Sequence, residues 1–136
     1  MKAPNMSWMI PYIIVADVKK SADFYQKCFR FKEVSIVDDD SGVATHAELA
    51  YYDMNIMIGR EGEYNAEMKT PKNSGITSPI SIYVYVNDVD EYYNHAVKNG
   101  AKGVGEPEDM FWGDRCCQLQ DLDNYVWCFG SHLGNK

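Results

Sequence analysis

The sequence contains no run of about 18 apolar residues, so no segment reads as a membrane-crossing helix. Basic side chains are scarce: 13 Lys and Arg stand against 20 Asp and Glu, a net charge of −7. A nucleic-acid surface needs a basic face, and that balance argues against one. It tolerates a cationic ligand without demanding one, since an acidic excess also serves solubility. No CxxC pair occurs among Cys28, Cys116, Cys117 and Cys128. The opening "MKAPNMSWMIPYIIVADV" does not read as a secretory leader, because its apolar stretch is short, is broken by Pro11 and lacks a small-residue cleavage site. The expectation is therefore a cytoplasmic protein with reduced thiols.

What is present is the material of one domain over residues 1–136, with 46% hydrophobic and 24% charged residues. The chain also repeats itself. "YIIVADVKKSADFYQKCFRF" and "IYVYVNDVDEYYNHAVKNGA" each read as an apolar strand, an Asp and a helical pattern, with Asp17 matching Asp88 at an offset of 88 − 17 = 71. Each Asp suits a helix N-cap, its carboxylate accepting from the free N–H groups of the first turn. Val18, Ala22, Tyr25 and Phe29 fall on one face of the first helix; Val89, Tyr92, Tyr93 and Ala96 fall on one face of the second. Gly100 suits the left-handed position that ends the second helix.

The strands after each helix also match. "ELAYYDMNIMI" aligns with "QLQDLDNYVWC" at an offset of 70, which pairs Met57 with Trp127 and Ile58 with Cys128. Each half then reads strand, helix, strand, strand, strand. Repeat one covers about 8–59 and repeat two about 80–132. The polar, turn-rich stretch of about 60–79 reads as a linker or flap.

"PYIIVADVKKSADFYQKCF", "HAEL…NIMI" and above all "FWGDRCCQLQDLDNYVWCF" resemble the vicinal oxygen chelate superfamily, within it the PhnB-like branch. That superfamily includes glyoxalase I, extradiol dioxygenases and bleomycin-binding proteins. The resemblance implies an α+β fold: two βαβββ repeats forming a curved eight-stranded mixed sheet with helices on the outside. It also implies a homodimer, since family cups are often completed by a second chain. Relatives usually read D-P-D-G at the last turn, where this chain has Asp121-Leu122-Asp123-Asn124; Asn tolerates positive φ, so the turn survives.

Carried over residue by residue, the family's ion-binding positions fall on Ile10 and Ser81 on the first strands and on Ile58 and Cys128 on the last. Two isoleucines, a serine and one thiol do not make an open three-ligand site. No cofactor is expected; a divalent metal enters only under the alternative reading.

Strand parity from Ile10 and Cys128 turns Tyr12, His46, Glu48, Tyr83, Tyr85, Cys116 and Gln118 into the same cup. That lining suits an organic ligand, with rings to stack and a few directional hydrogen bonds. His46 and Glu48 could be an acid–base pair or a displaced metal site; alternatively, they support the strand and face solvent. Cys128 reads as a pocket-lining thiol rather than a nucleophile, since no base is spaced to activate it. Trp112 could stack on a ligand and Arg115 could pair an anionic group, or both could serve surface packing. His95 receives no role; His132, near the C-terminus, could touch a partner chain or simply fray. The functional expectation is a metal-independent small-molecule-binding protein; the alternative is a metal-dependent lyase or isomerase like glyoxalase I, with a dioxygenase weaker still.

Overall fold

The computed structural model describes residues 1–134. Its elements run β1 (Tyr12–Val15), α1 (Val18–Phe29), β2 (Lys32–Asp38), β3 (Ala44–Tyr51), β4 (Met54–Arg60), α2 (Pro71–Ser74), β5 (Ile82–Tyr85), α3 (Val89–Lys98), β6 (Lys102–Asp109), β7 (Asp114–Gln120) and β8 (Val126–His132). Apart from the single turn of α2, this is βαβββ twice. Both capping aspartates act as expected: Asp17 accepts from the Lys20 N–H at 3.0 Å and Asp88 from the Glu91 N–H at 3.1 Å. Gly100 takes a φ of +121° just beyond α3, while α1 ends on Arg30 at +59°.

The eight strands form two four-stranded mixed sheets, ordered β1-β4-β3-β2 and β5-β8-β7-β6. The β1/β4 and β5/β8 pairs are parallel and the rest antiparallel. Among the described residues the eight strands therefore do not join into one continuous sheet. Each helix covers one face of its own sheet, and the halves meet chiefly through α1 and α3. Side chains from the helix-covered faces of both sheets join one core. At its centre Trp127 is fully buried against Tyr25, Phe29, Phe31 and Phe129. At about 25 cal/mol per Å2 over roughly 200 Å2, burying such a ring contributes about 5 kcal/mol. With the helix sides turned into a shared core, the open faces of the two sheets point away from it.

The register of the repeat needs one correction. His46 lies opposite Gly59 and Cys116 opposite Gly130, so β3 and β7 match at 116 − 46 = 70. Tyr12 pairs with Met57 and Tyr83 with Cys128, so β4 and β8 match at 128 − 57 = 71. The second hairpin loop is longer by one residue, and one residue turns every later side chain to the other face. Met57, not Ile58, is the counterpart of Cys128 and faces the open side; Ile58 is fully buried in the core. The shared offset of 70 over the whole hairpin concealed this slip. Asn124 holds φ at +69° in the longer loop, as its side chain allows without glycine.

Asp121 ties that loop to the core. One carboxylate oxygen accepts from the N–H groups of Asp123 and Tyr125, both at 3.0 Å. The other accepts from the Tyr25 hydroxyl at 2.6 Å and from Trp127 Nε1 at 2.9 Å. Across the junction, the Tyr125 hydroxyl donates to the carbonyl of Ile14 at 2.8 Å.

Candidate functional site

The residues assigned to one cup fall into two separate groups. Tyr12, His46 and Glu48 lie on the open face of the first sheet; Tyr83, Tyr85, Cys116, Gln118 and Cys128 lie on that of the second. The pairing that would fuse the two faces is absent among the described residues.

On the first face, Tyr12 lies across Gly59. A Cβ at that glycine would come within 2.9 Å of the tyrosine ring, so the bare backbone is what admits the phenol. The Tyr12 hydroxyl sits 3.3 Å from His46 Nδ1, and His46 Nε2 is 3.9 Å from a Glu48 carboxylate oxygen. Burial, then Tyr64 nearby, raises the pKa of Tyr12, which therefore stays a phenol. The stretch after β4 folds over this face. Arg60 holds Glu63 at 2.6 Å and Asp39 at 3.5 Å, and Glu61 accepts from the Thr70 N–H and the Asn73 amide. Tyr64 then stands edge-on to Tyr12, with ring centroids 6.4 Å apart. Together Tyr12, Ile14, His46, Arg60, Tyr64 and Met68 help line an open pocket of about 520 Å3. The N-terminal segment borders the other side of the face, Ser7 exchanging hydrogen bonds with Asn55, so that Glu48, Met57 and Ile10 line a neighbouring groove.

The second face repeats the tyrosine-over-glycine device. Tyr83 lies across Gly130 as Tyr12 lies across Gly59, both pairs related by the offset of 71 (83 − 12 and 130 − 59). The chemistry above it differs. Asp114 is only 2% exposed, and one of its oxygens accepts from both Tyr83 and Tyr85 hydroxyls at 2.8 Å. Its other oxygen is 3.0 Å from His132 Nδ1, and since a carboxylate only accepts, that nitrogen carries the proton. The His132 contact comes first among the causes that hold the Asp114 carboxyl below its usual range; the two tyrosines add to it. Trp112 donates from Nε1 to the Tyr83 hydroxyl at 3.4 Å. Trp112, Cys116, Gln118 and Cys128 line a small cavity of about 170 Å3.

Three placements differ from the sequence reading. Arg115 points to the helix side of β7, where it pairs Asp90 and Asp109 at 3.0 Å each; its guanidinium does not face the cup. His132, expected to fray or touch a partner, instead buttresses Asp114. Ile58 leaves the surface altogether. Ser81 is exposed just before β5, and Ile10 sits in the groove beside the N-terminal segment.

The family's ion-binding residues do not fit the donor set found here. With the register corrected, Met57 stands where Ile58 was expected, and a thioether suits the harder divalent ions no better. Among the described residues no three His, Cys, Asp or Glu side chains converge as a metal site. Burial pushes the Cys128 thiol up, the adjacent Cys116 adding to the shift, which disfavours a thiolate nucleophile. Cys117, on the core side, is pushed up to about 12, mainly by burial.

Asp114, His132 and Tyr64 were missed. Parity already held Asp114: it lies two residues before Cys116 and so shares its face. Tyr64 carried no such signal, because a loop has no period.

Comparison with known proteins follows the fold. A model of the Glyoxalase/Bleomycin resistance protein/Dioxygenase superfamily matches residues 7–129. An uncharacterised protein of Mycobacterium bovis is 31% identical over 122 residues, 88% of this chain and 80% of that one. The crystal structure of TioX from Micromonospora sp. ML1 is similar with a TM-score of 0.76 at 27% identity, over 93% of this chain and 99% of that chain. A superfamily member from Sphaerobacter thermophilus gives a TM-score of 0.72 at 21% identity, over 93% of this chain and 98% of its own.

Proposed function

The chain belongs to the Glyoxalase/Bleomycin resistance protein/Dioxygenase superfamily, and on that premise we propose that it is a small-molecule-binding protein that holds its ligand without a metal ion. Within the superfamily we assign it to the PhnB-like or bleomycin-resistance-like type, acting in the cytoplasm by sequestration or sensing. One observation carries the reading: the open pocket of about 520 Å3 flanked by the chain's own Tyr64 and floored by Tyr12 and His46. Its volume suits an organic ligand, and its walls offer rings with a few directed polar atoms.

The working form in this reading is a homodimer. Each open face by itself is half a cup, and Tyr64, Tyr83, Tyr85, Phe111 and Trp112 stand exposed on or near these faces. A second copy laying its second-half face over the first-half face would cover these rings and complete two cups. Light scattering on the eluting species tests this, and a monomer at micromolar concentration removes it.

A second reading has one observation in its favour. His46 and Glu48 come within 3.9 Å on the open face, as two ligands of a metal-dependent lyase or isomerase would. Elemental analysis of protein purified without chelator, with a thermal-shift screen of Ni, Zn, Mn and Fe, separates the two. The binding reading expects no stoichiometric metal. Metal at unit occupancy that is lost in His46→Ala replaces it with the enzyme. A melting-temperature rise with an aromatic compound, abolished by Tyr12→Ala or Tyr83→Ala, supports binding.

A further inference from the structure

The two open faces are related by the repeat, yet their hydrogen-bonding character has diverged. On the second face, the proton of each exposed phenol is already committed. Tyr83 and Tyr85 both donate to one oxygen of Asp114, whose other oxygen is held by His132. A tyrosine hydroxyl has a single proton. With that proton directed into the protein, each phenol oxygen has only lone pairs left for a guest, and the charge-assisted bond to a carboxylate enriches them in electron density. Trp112 occupies one lone pair of Tyr83, and among the described residues no donor reaches the Tyr85 hydroxyl.

The surroundings have the same sign. Glu106 and Glu108 border the cavity beside Trp112, and among the described residues no Lys or Arg lines it. Nor does any described Lys or Arg line the cleft shared by Tyr83, Tyr85, Tyr51 and Tyr52. Arg115, the cation nearest in sequence, is turned to the helix side and neutralised by Asp90 and Asp109. The rings supply the other half of a recognition surface: Tyr83 and Tyr85 meet edge-to-face at 5.4 Å, and Phe111 and Trp112 at 5.0 Å. Rings offer their negative faces to a cation, so ring and acceptor favour the same guest. Among the described residues, an anion would meet a buried carboxylate and two glutamates, while the Trp112 N–H and the His132 Nδ1–H are already directed to Tyr83 and Asp114.

We propose that the face built on Tyr83, Tyr85 and Trp112 selects planar aromatic ligands that carry a positive charge or outward N–H donors, and rejects anionic ones. This rests on the ligand-binding reading above, in which the second face supplies the other half of each cup, and names the ligand class that this half selects. Asp114 is a positioning residue: it sets the direction of the phenol protons and touches no ligand.

The test uses three three-ring probes of one shape at pH 7: the 9-aminoacridine cation, neutral 9-anthracenemethanol and 9-anthracenecarboxylate, each titrated by calorimetry. The cation is expected to bind about tenfold or more tighter than the carboxylate, with the neutral ring between them. Tyr85→Phe removes one acceptor and leaves Asp114 bonded to Tyr83 and His132; it should weaken the cation several-fold and leave the neutral ring unchanged. Asp114→Asn, which frees phenol protons, should bring the cation-to-anion ratio towards one, and Tyr85→Phe carries the test alone if that variant does not fold. Equal binding of cation and carboxylate overturns the proposal and leaves the ligand-binding reading standing. A preference retained in full by Tyr85→Phe belongs to the net charge of −7 and overturns it as well. Binding of none of the three removes the ligand-binding reading beneath it.

Discussion

Asp123→Asn should make the protein more stable at neutral pH and no more stable at pH 4. Asp123 lies in the loop between β7 and β8 and is 4% exposed. Its carboxylate receives only two weak neutral donors, the Ala16 N–H at 3.2 Å and the Ser21 hydroxyl at 3.4 Å. Lost hydration outweighs them, with Asp121 and Glu61 adding repulsion, and the carboxyl is pushed up from 3.8 to about 6. A folded-state pKa above the unfolded one means that the native state binds more protons between pH 4 and 6. Its stability is therefore full below pH 4 and falls as pH rises through 6. Two units correspond to a ceiling of about 3 kcal/mol, and residual solvation of the loop brings the expectation to about 2 kcal/mol. Asn keeps the shape and cannot ionise. The assay is urea unfolding of both proteins at pH 4, 5, 6 and 7, followed by tryptophan fluorescence. With m-values of about 1–3 kcal/mol/M, the midpoint of the variant should exceed that of the wild type by roughly 1 M at pH 7 and coincide with it at pH 4. Asp39, Asp90, Glu91 and Asp114 have lowered pKa values, so they act below this window and cancel in the difference. Parallel profiles from pH 4 to 7 would refute the argument that burial governs this carboxyl.

Tyr25→Phe leaves the buried Asp121 carboxylate short of one donor and should cost about 1–3 kcal/mol, read as a lower urea midpoint at unchanged m. Gly59→Ala should push the Tyr12 ring, the mobile end of its side chain, into the cavity. The melting temperature should then stay within a few degrees of wild type while affinity for a bound aromatic probe falls several-fold, a split that a simple folding defect would not give. Arg115→Gln should leave the cation-to-anion preference of the second face unchanged in the same calorimetric titrations, because its guanidinium faces α3.

The fold class, the two βαβββ halves, both capping aspartates and the helical faces were legible in the sequence alone. They depend on local rules: a period of 3.6 or 2, a carboxylate that satisfies free N–H groups, a residue that accepts positive φ. Strand parity likewise placed Tyr12, His46, Glu48, Tyr83, Tyr85 and Cys116 on open faces. What failed was the match between the halves: an offset of 70 carried past the hairpin loops ignored the one extra residue of the second loop and exchanged Met57 and Ile58 between face and core. Spacing cannot show how a loop absorbs a residue, because that is settled by the hydrogen bonds Asp121 makes to the loop and to Tyr25 and Trp127.

What tertiary structure decided was how the halves are joined. Both helix-covered faces needed the same apolar partner, so they closed on each other around Phe29, Tyr92 and Trp127 and left the two open faces apart. The direction of a phenol proton was also decided there. Asp114 reads in sequence as one more acid beside an arginine, yet once folded it turns away from that arginine and accepts hydrogen bonds from two tyrosines distant along the chain. Short-range pattern fixes which side of a strand a residue occupies; only contacts between distant segments fix what stands opposite it, and therefore whether its oxygen gives a hydrogen bond or receives one.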